Sequence, residues 1–123
     1  MTTIQLPHDH GHDEHHIVDN MPDAEKFADA ALLYSMLDDP SRLKIFWLLC
    51  HTEECVSNIA AMVGMSTSSV SHHLKILQAN HLVVSRRIGK EIHYTLAPSE
   101  QAAFTHNMIE SYFHMDCPLH NHS

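Results

Sequence analysis

The residues in this chain best suited to chemistry are imidazoles and thiols. His8, His10, His12, His15 and His16 crowd into one short stretch, with Asp9, Asp13 and Glu14 between them. Neutral imidazole is a good ligand for zinc and its neighbours, and a tetrahedral ion needs only four donors. A second set lies near the other end. His106, Glu110 and His114 are spaced i, i+4, i+8, which places them on one face of a helix. Cys117, His120 and His122 follow them. The competing reading of both sets is a solvated polar surface, because 14 histidines in 123 residues make such coincidences common. The three cysteines, Cys50, Cys55 and Cys117, are an odd number at irregular spacing. That argues against a disulfide scaffold and for free, metal-bound or redox-active thiols. Cys50 follows Leu48 and Leu49 in an apolar run and reads as core. The sequence has no His-Glu-x-x-His, no Gly-rich phosphate loop and no Gly-x-Ser-x-Gly. Neither an enzyme nor a small-molecule substrate is therefore expected.

The elements that would position these groups follow from pattern and punctuation. Residues 1–20 show no helical or strand period and read as a disordered His-rich tail; residues 21–115 read as one domain, and 116–123 as a second tail. Asp23 to Leu37 reads as a first amphipathic helix of loose register. Asp39 is placed to cap the next helix, and Pro40 suits its first position, where a missing N–H costs nothing. Leu43, Ile45, Phe46, Trp47, Leu48 and Leu49 make that helix largely buried, and the polar stretch His51–Glu54 ends it. Cys55 to Val63 reads as a short helix closed by Gly64, which tolerates a positive φ. Ser66 can cap a longer helix with an apolar stripe of Val70, Leu74 and Leu77. Leu82–Arg87 and Glu91–Leu96 are β-prone runs around Ile88-Gly89-Lys90, a hairpin with a basic tip. The fold class expected is mainly α with a β-hairpin wing, a winged helix-turn-helix. The alternative at this level is an ordinary α+β domain with a solvated basic turn.

Charge bears directly on that choice. The formal net charge is −8, and an acidic chain is a poor prior for binding phosphate. The distribution restores the case. Between Ser66 and Leu96 there are four cations, Lys75, Arg86, Arg87 and Lys90, against the single acid Glu91. Seven of the 15 acids precede residue 30. The local stripe is the relevant footprint for DNA. Thr67, Ser68, Ser69, Ser71, His72 and Lys75 lie off the apolar stripe of the longer helix, and small hydroxyls at a helix N-terminus suit the major groove. Arg86, Arg87 and Lys90 on the hairpin would meet phosphate. Of the adjacent His72 and His73, one is expected to face DNA and the other to pack; His93 in the hairpin reads as structural. No apolar run reaches the roughly 18 residues of a membrane span, and the acidic N-terminus resembles no signal or transit peptide. The expected place of work is the cytoplasm, away from membranes.

Four blocks then point to a family. Asp39-Pro40-Ser41-Arg42-Leu43, Glu54-Cys55-Val56-Ser57-Asn58-Ile59-Ala60, Ser69-Val70-Ser71-His72-His73-Leu74-Lys75-Ile76-Leu77 and Leu82-Val83 resemble the ArsR/SmtB family of metal-responsive repressors. The resemblance covers about residues 25–115. It implies a homodimer of five-helix winged domains that binds double-stranded operator DNA and is released by metal, often controlling metal efflux. It pairs the first and last helices of two chains, and Met108, Ile109, Tyr112 and Phe113 offer apolar surface on the last. One family metal site joins an N-terminal segment to a cysteine that matches Cys55. Its Asp position holds Asn58 here, a weaker ligand, and His8, His10, His12, His15 and His16 would supply the N-terminal donors. Zinc is the ion this implies first, with cobalt, nickel or cadmium as neighbours. The family's second site falls on Pro98, Glu100, Ser111 and His114, of which only two can ligate; His106, Glu110 and His114 form a different constellation. A redox or sulfur-responsive repressor using Cys55 and Cys117 on the same fold is the alternative function.

Overall fold

The computed structural model describes residues 4–11 and 13–116. In chain order the elements are α1 (Glu14–Asp19), α2 (Ala24–Met36), α3 (Pro40–Leu49), β1 (Glu54–Cys55), α4 (Val56–Val63), α5 (Thr67–Ala79), β2 (Val83–Ile88), β3 (Glu91–Leu96) and α6 (Glu100–Asp116). Contacts divide the chain into two units, with the boundary inside α2 between Leu32 and Leu33. In the first unit α1 is capped by Asp13, whose carboxylate accepts from the His16 N–H at 3.2 Å, and by Asn20 at its other end.

The second unit holds the core. Its elements start and stop where local chemistry dictates. Asp39 accepts from the backbone N–H of Ser41 at 2.9 Å and of Arg42 at 3.1 Å, and Pro40 takes the first position of α3. Gly64 closes α4 at φ 71°; its N–H and that of Met65 both donate to the Ala60 carbonyl. Ser66 caps α5 through the Ser69 N–H at 3.1 Å. The far end of α5 is a Schellman turn: Leu82 donates to Leu77 O, His81 donates to Gln78 O, and His81 itself sits at φ 62°.

Ile45, Phe46 and Leu49 from α3, Ile59 from α4, Val70, Leu74 and Leu77 from α5, and Leu82 and Val83 form the fully buried centre. Each such side chain stabilises the fold by about 1.5–3 kcal/mol relative to leaving it in water. The sheet is antiparallel in the order β1-β3-β2, with Cys55 opposite His93 and Arg86 also opposite His93. This is a winged helix-turn-helix: α4, the Gly64 turn and α5, followed by the β2–β3 hairpin.

Three details differ from the sequence reading. The tail of residues 1–20, read as disordered, contains the helix α1 (Glu14–Asp19), because the Asp13 carboxylate caps its free N-terminus. The short helix begins at Val56; Cys55 is extended (φ −78°, ψ 162°) and belongs to β1, because pairing with β3 holds it in the sheet. The first hairpin strand starts one residue later, at Val83, because the Leu82 N–H is spent on the α5 Schellman turn.

Candidate functional site

The helix-turn-helix face is built from α5. Val70, Leu74 and Leu77 turn inward and leave Thr67, Ser68, Ser69, His72 and Lys75 exposed, with Ser71 half-buried. His72 and His73 divide as the sequence reading expected: His72 is exposed and His73 is buried. His73 is held by α3. The Arg42 guanidinium meets His73 Nδ1 at 3.2 Å, and its Nε donates to the Met36 carbonyl. Asp39 completes the chain with an ion pair to Arg42 at 3.9 Å. Since guanidinium can only donate, Nδ1 accepts and His73 is neutral, its proton on Nε2. Burial lowers the His73 pKa, and the neighbouring Arg42 and His72 add to that against the pull of Asp39. Asp39 is itself lowered, chiefly by the Arg42 N–H.

The wing presents Arg87 and Lys90 exposed. Arg86 is exposed too, yet engaged: its Nε and Nη2 grip the two Glu53 oxygens at 2.8 and 2.6 Å. This bidentate pair lowers the Glu53 pKa and raises that of Arg86. Gln78 donates to Ser85 at 3.1 Å and ties α5 to the wing. His93, half-buried in β3, lies 3.4 Å from Glu91.

The candidate metal ligands fall in several places. His8, His10, His15 and His16 are exposed in the first unit; His8 and His15 line one cavity of about 400 Å³ with Asp9 and Glu14. Cys55 is buried in the second unit, where β1 meets α4. Asn58 donates to Glu54 at 3.0 Å. His12, Cys117, His120 and His122 lie outside the described residues. Cys50 is a free thiol packed against the core, and burial, aided by the Glu110 charge, pushes its pKa up to about 12.

On α6, His106 and Glu110 approach at 3.6 Å, while His114, two turns beyond His106, is exposed. The group that forms contains a residue the spacing did not reveal. His51, just past the end of α3, places Nε2 2.6 Å from Glu110 Oε1, and the ligand atoms of His51, His106 and Glu110 all lie within 4.8 Å of one another. Sequence spacing could not supply His51, because 59 residues separate it from Glu110. The only signal was a histidine in the polar stretch that ends α3.

An apolar groove of about 590 Å³ runs between the end of α2 and α6, with Tyr34, Leu37, Leu43, Met108, Tyr112 and Phe113 in its walls. Tyr112 is 68% exposed.

This fold and this exposed face define a class, the winged helix-turn-helix regulators. Residues 39–85 match the family model described as bacterial regulatory protein, arsR family. The chain is 33% identical over 97 residues to the HTH-type transcriptional regulator NmtR of Mycobacterium tuberculosis, covering 79% of this chain and 81% of that protein. It is 45% identical over 67 residues to the transcriptional repressor SmtB homolog of Synechocystis, covering 54% of this chain. That match spans 51% of the relative, so the chain accounts for about half the length of this and other curated relatives. Among solved structures, HlyU from Vibrio cholerae superposes with a TM-score of 0.65 at 29% identity, over 76% of this chain and 94% of that one. The homodimeric winged helix-turn-helix DNA-binding domain of a possible ArsR-family regulator from Mycobacterium bovis gives 0.64 at 28%, over 85% and 96%. The chain belongs to the ArsR family of bacterial regulatory proteins.

Proposed function

We propose that this protein is a metal-sensing transcriptional repressor, a cytoplasmic homodimer that binds operator DNA and leaves it when a transition-metal ion binds. The observation that carries the reading is the exposed face of α5. Thr67, Ser68, Ser69, Ser71, His72 and Lys75 face the major groove, and Arg86, Arg87 and Lys90 of the wing meet phosphate. Relatives named for metal response support the second half, among them a cadmium resistance transcriptional regulatory protein CadC homolog of Staphylococcus aureus.

The sensing ligands in this reading are Cys55 and two or three of His8, His10, His12, His15 and His16, on the tail of residues 1–20. His106, Glu110 and His114 on α6 are the second candidate set within the domain of residues 21–115. Thiolate with imidazole suits zinc first, then cobalt, nickel or cadmium. The ion supplies a cross-link. It releases DNA only by binding the DNA-incompetent dimer more tightly, and a coupling of about 3 kcal/mol changes affinity over a hundredfold.

The test pairs two variants. Deleting residues 1–20 leaves DNA binding by the metal-free protein intact and removes release by zinc. Cys55→Ser abolishes the near-ultraviolet sulfur-to-metal band of the cobalt form. Full zinc response in the deletion would refute the tail as sensor.

A further inference from the structure

We propose that His51, His106 and Glu110 form a binding site for a zinc-class divalent cation, distinct from any site using the histidine tract or Cys55 and from the positions to which the family resemblance points, Pro98, Glu100, Ser111 and His114. The site shares His106 and Glu110 with the α6 set named above and takes His51 in place of His114; it stands on its own geometry and does not depend on the DNA reading.

Three observations carry it. The donor set is two imidazoles and one carboxylate, the set that holds zinc with a position left for water. The donors come from separate elements that the core fixes. Glu110 follows buried Ile109 on α6, and His106 follows buried Thr105 one turn earlier. His51 follows Cys50, which caps α3 and packs against the core. The spacing also fits. Ligands about 2.0–2.1 Å from a tetrahedral ion stand roughly 3.3 Å apart. His51 Nε2 and His106 Nε2 stand 2.6 and 3.6 Å from Glu110 Oε1. The two pairs with Glu110 therefore need changes of under about 1 Å, and the pair of imidazoles, whose ligand atoms lie within 4.8 Å of each other, at most about 1.5 Å, within the reach of side-chain torsions at a site whose members are 21–42% exposed.

The same nitrogen, Nε2, of both histidines faces the carboxylate, so the site predicts the ligating atom as well as the residue. The two rings stand at right angles with centroids 5.5 Å apart and approach Glu110 as separate donors. Binding replaces the His51–Glu110 hydrogen bond with bonds to the ion and fastens α6 to the turn that leads into β1. Because β1 pairs with β3, the clamp would reach from α6 to the wing.

The chain carries its own reporter. Trp47 is the single tryptophan, and its ring centroid lies 4.6 Å from that of His51. Full-length protein is titrated with cobalt(II), following Trp47 emission and the visible d–d bands. The expected result is a saturable Trp47 response to one equivalent of cobalt. Its midpoint rises at least tenfold in both His106→Ala and Glu110→Gln, which leave Trp47 and His51 in place. An unchanged response in both variants overturns the site. So does bound cobalt with no Trp47 response, which would put the metal on other ligands such as the histidine tract. Should either variant misfold by circular dichroism, the wild-type chain decides. With zinc and ¹⁵N-labelled histidine, metal-bound Nε2 signals for both His51 and His106 support the site, and their absence refutes it.

Discussion

At the scale of single residues, two contacts set how the reading face behaves. The Glu53–Arg86 pair occupies one wing guanidinium before any DNA arrives. Phosphate must compete with a carboxylate for Arg86, whereas Arg87 and Lys90 bear no such restraint from Glu53. Glu53→Gln removes both the competitor and a negative charge beside the wing. Binding to arbitrary duplex DNA should tighten several-fold, and the salt dependence should steepen by up to about one phosphate unit, measured by titration at several salt concentrations. An unchanged slope would show that Arg86 never reaches phosphate. His73 is the second. Its pKa is lowered in the folded chain by burial, then by Arg42 and His72, while Asp39 opposes. The unfolded chain takes up this proton near pH 6.5. The folded chain resists it, so stability contributed by neutral His73 is present above that pH and is lost as pH falls below it. Comparing thermal or urea unfolding at pH 7 and at about pH 5.5, His73→Gln should lose less stability than the parent chain. Equal losses would mean that other histidines govern the acid limb.

At the scale of elements, the end of α5 stores a small strain. His81 holds the left-handed position of a Schellman turn, at φ 62°, where glycine sits without penalty. Ser99, just before α6, fastens the same residue, donating to the His81 carbonyl at 2.6 Å while it accepts from Ala102 N–H at 3.0 Å. His81→Gly keeps these backbone bonds and should raise stability by about 0.5–1 kcal/mol in urea unfolding. A loss would show that the His81 side chain has a role its exposure does not reveal. Much of the element layout was legible in the sequence because its signals are local. Asp39 with Pro40, Gly64, Ser66 and the stripe Val70, Leu74, Leu77 each act within one or two turns. β1 was not legible: two residues carry no period, and only pairing with β3 makes them a strand. The reading of α6 was half legible. Spacing placed His106 and Glu110 on one face, but the packing of the α3 end against that face brought in His51 instead of His114. Likewise 33 residues separate Arg86 from the Glu53 that holds it. Pairs of that separation belong to the tertiary fold and leave no trace in spacing.

At the scale of the whole molecule, the apolar groove between α2 and α6 bears on the proposed dimer. An open groove of about 590 Å³ walled by Tyr34, Leu43, Met108, Tyr112 and Phe113 is costly to leave in water. In the proposed dimer a second chain covers it. Sedimentation at micromolar concentration should give about twice the 14.0 kDa chain mass, with or without zinc. Tyr112→Asp should weaken association at least tenfold, and the melting temperature of the parent chain should rise with its concentration. A monomer under all these conditions would remove two-headed recognition of a palindromic site.

Among the described residues, the sheet order β1-β3-β2 leaves β2 with one unpaired edge. Val84 and Ile88 are exposed on that strand, and Ile92 on its neighbour. Such a ribbon is a template for adding further strands, from another copy or from a misfolded chain. Arg86 and Arg87 are the charges on β2 itself. Glu53 compensates Arg86, so Arg87 is the β2 charge that, besides any contact with phosphate, would keep like edges apart by repulsion. Neutralising Arg87 would therefore carry a second cost beside weaker contact with DNA, an edge more open to pairing with another strand.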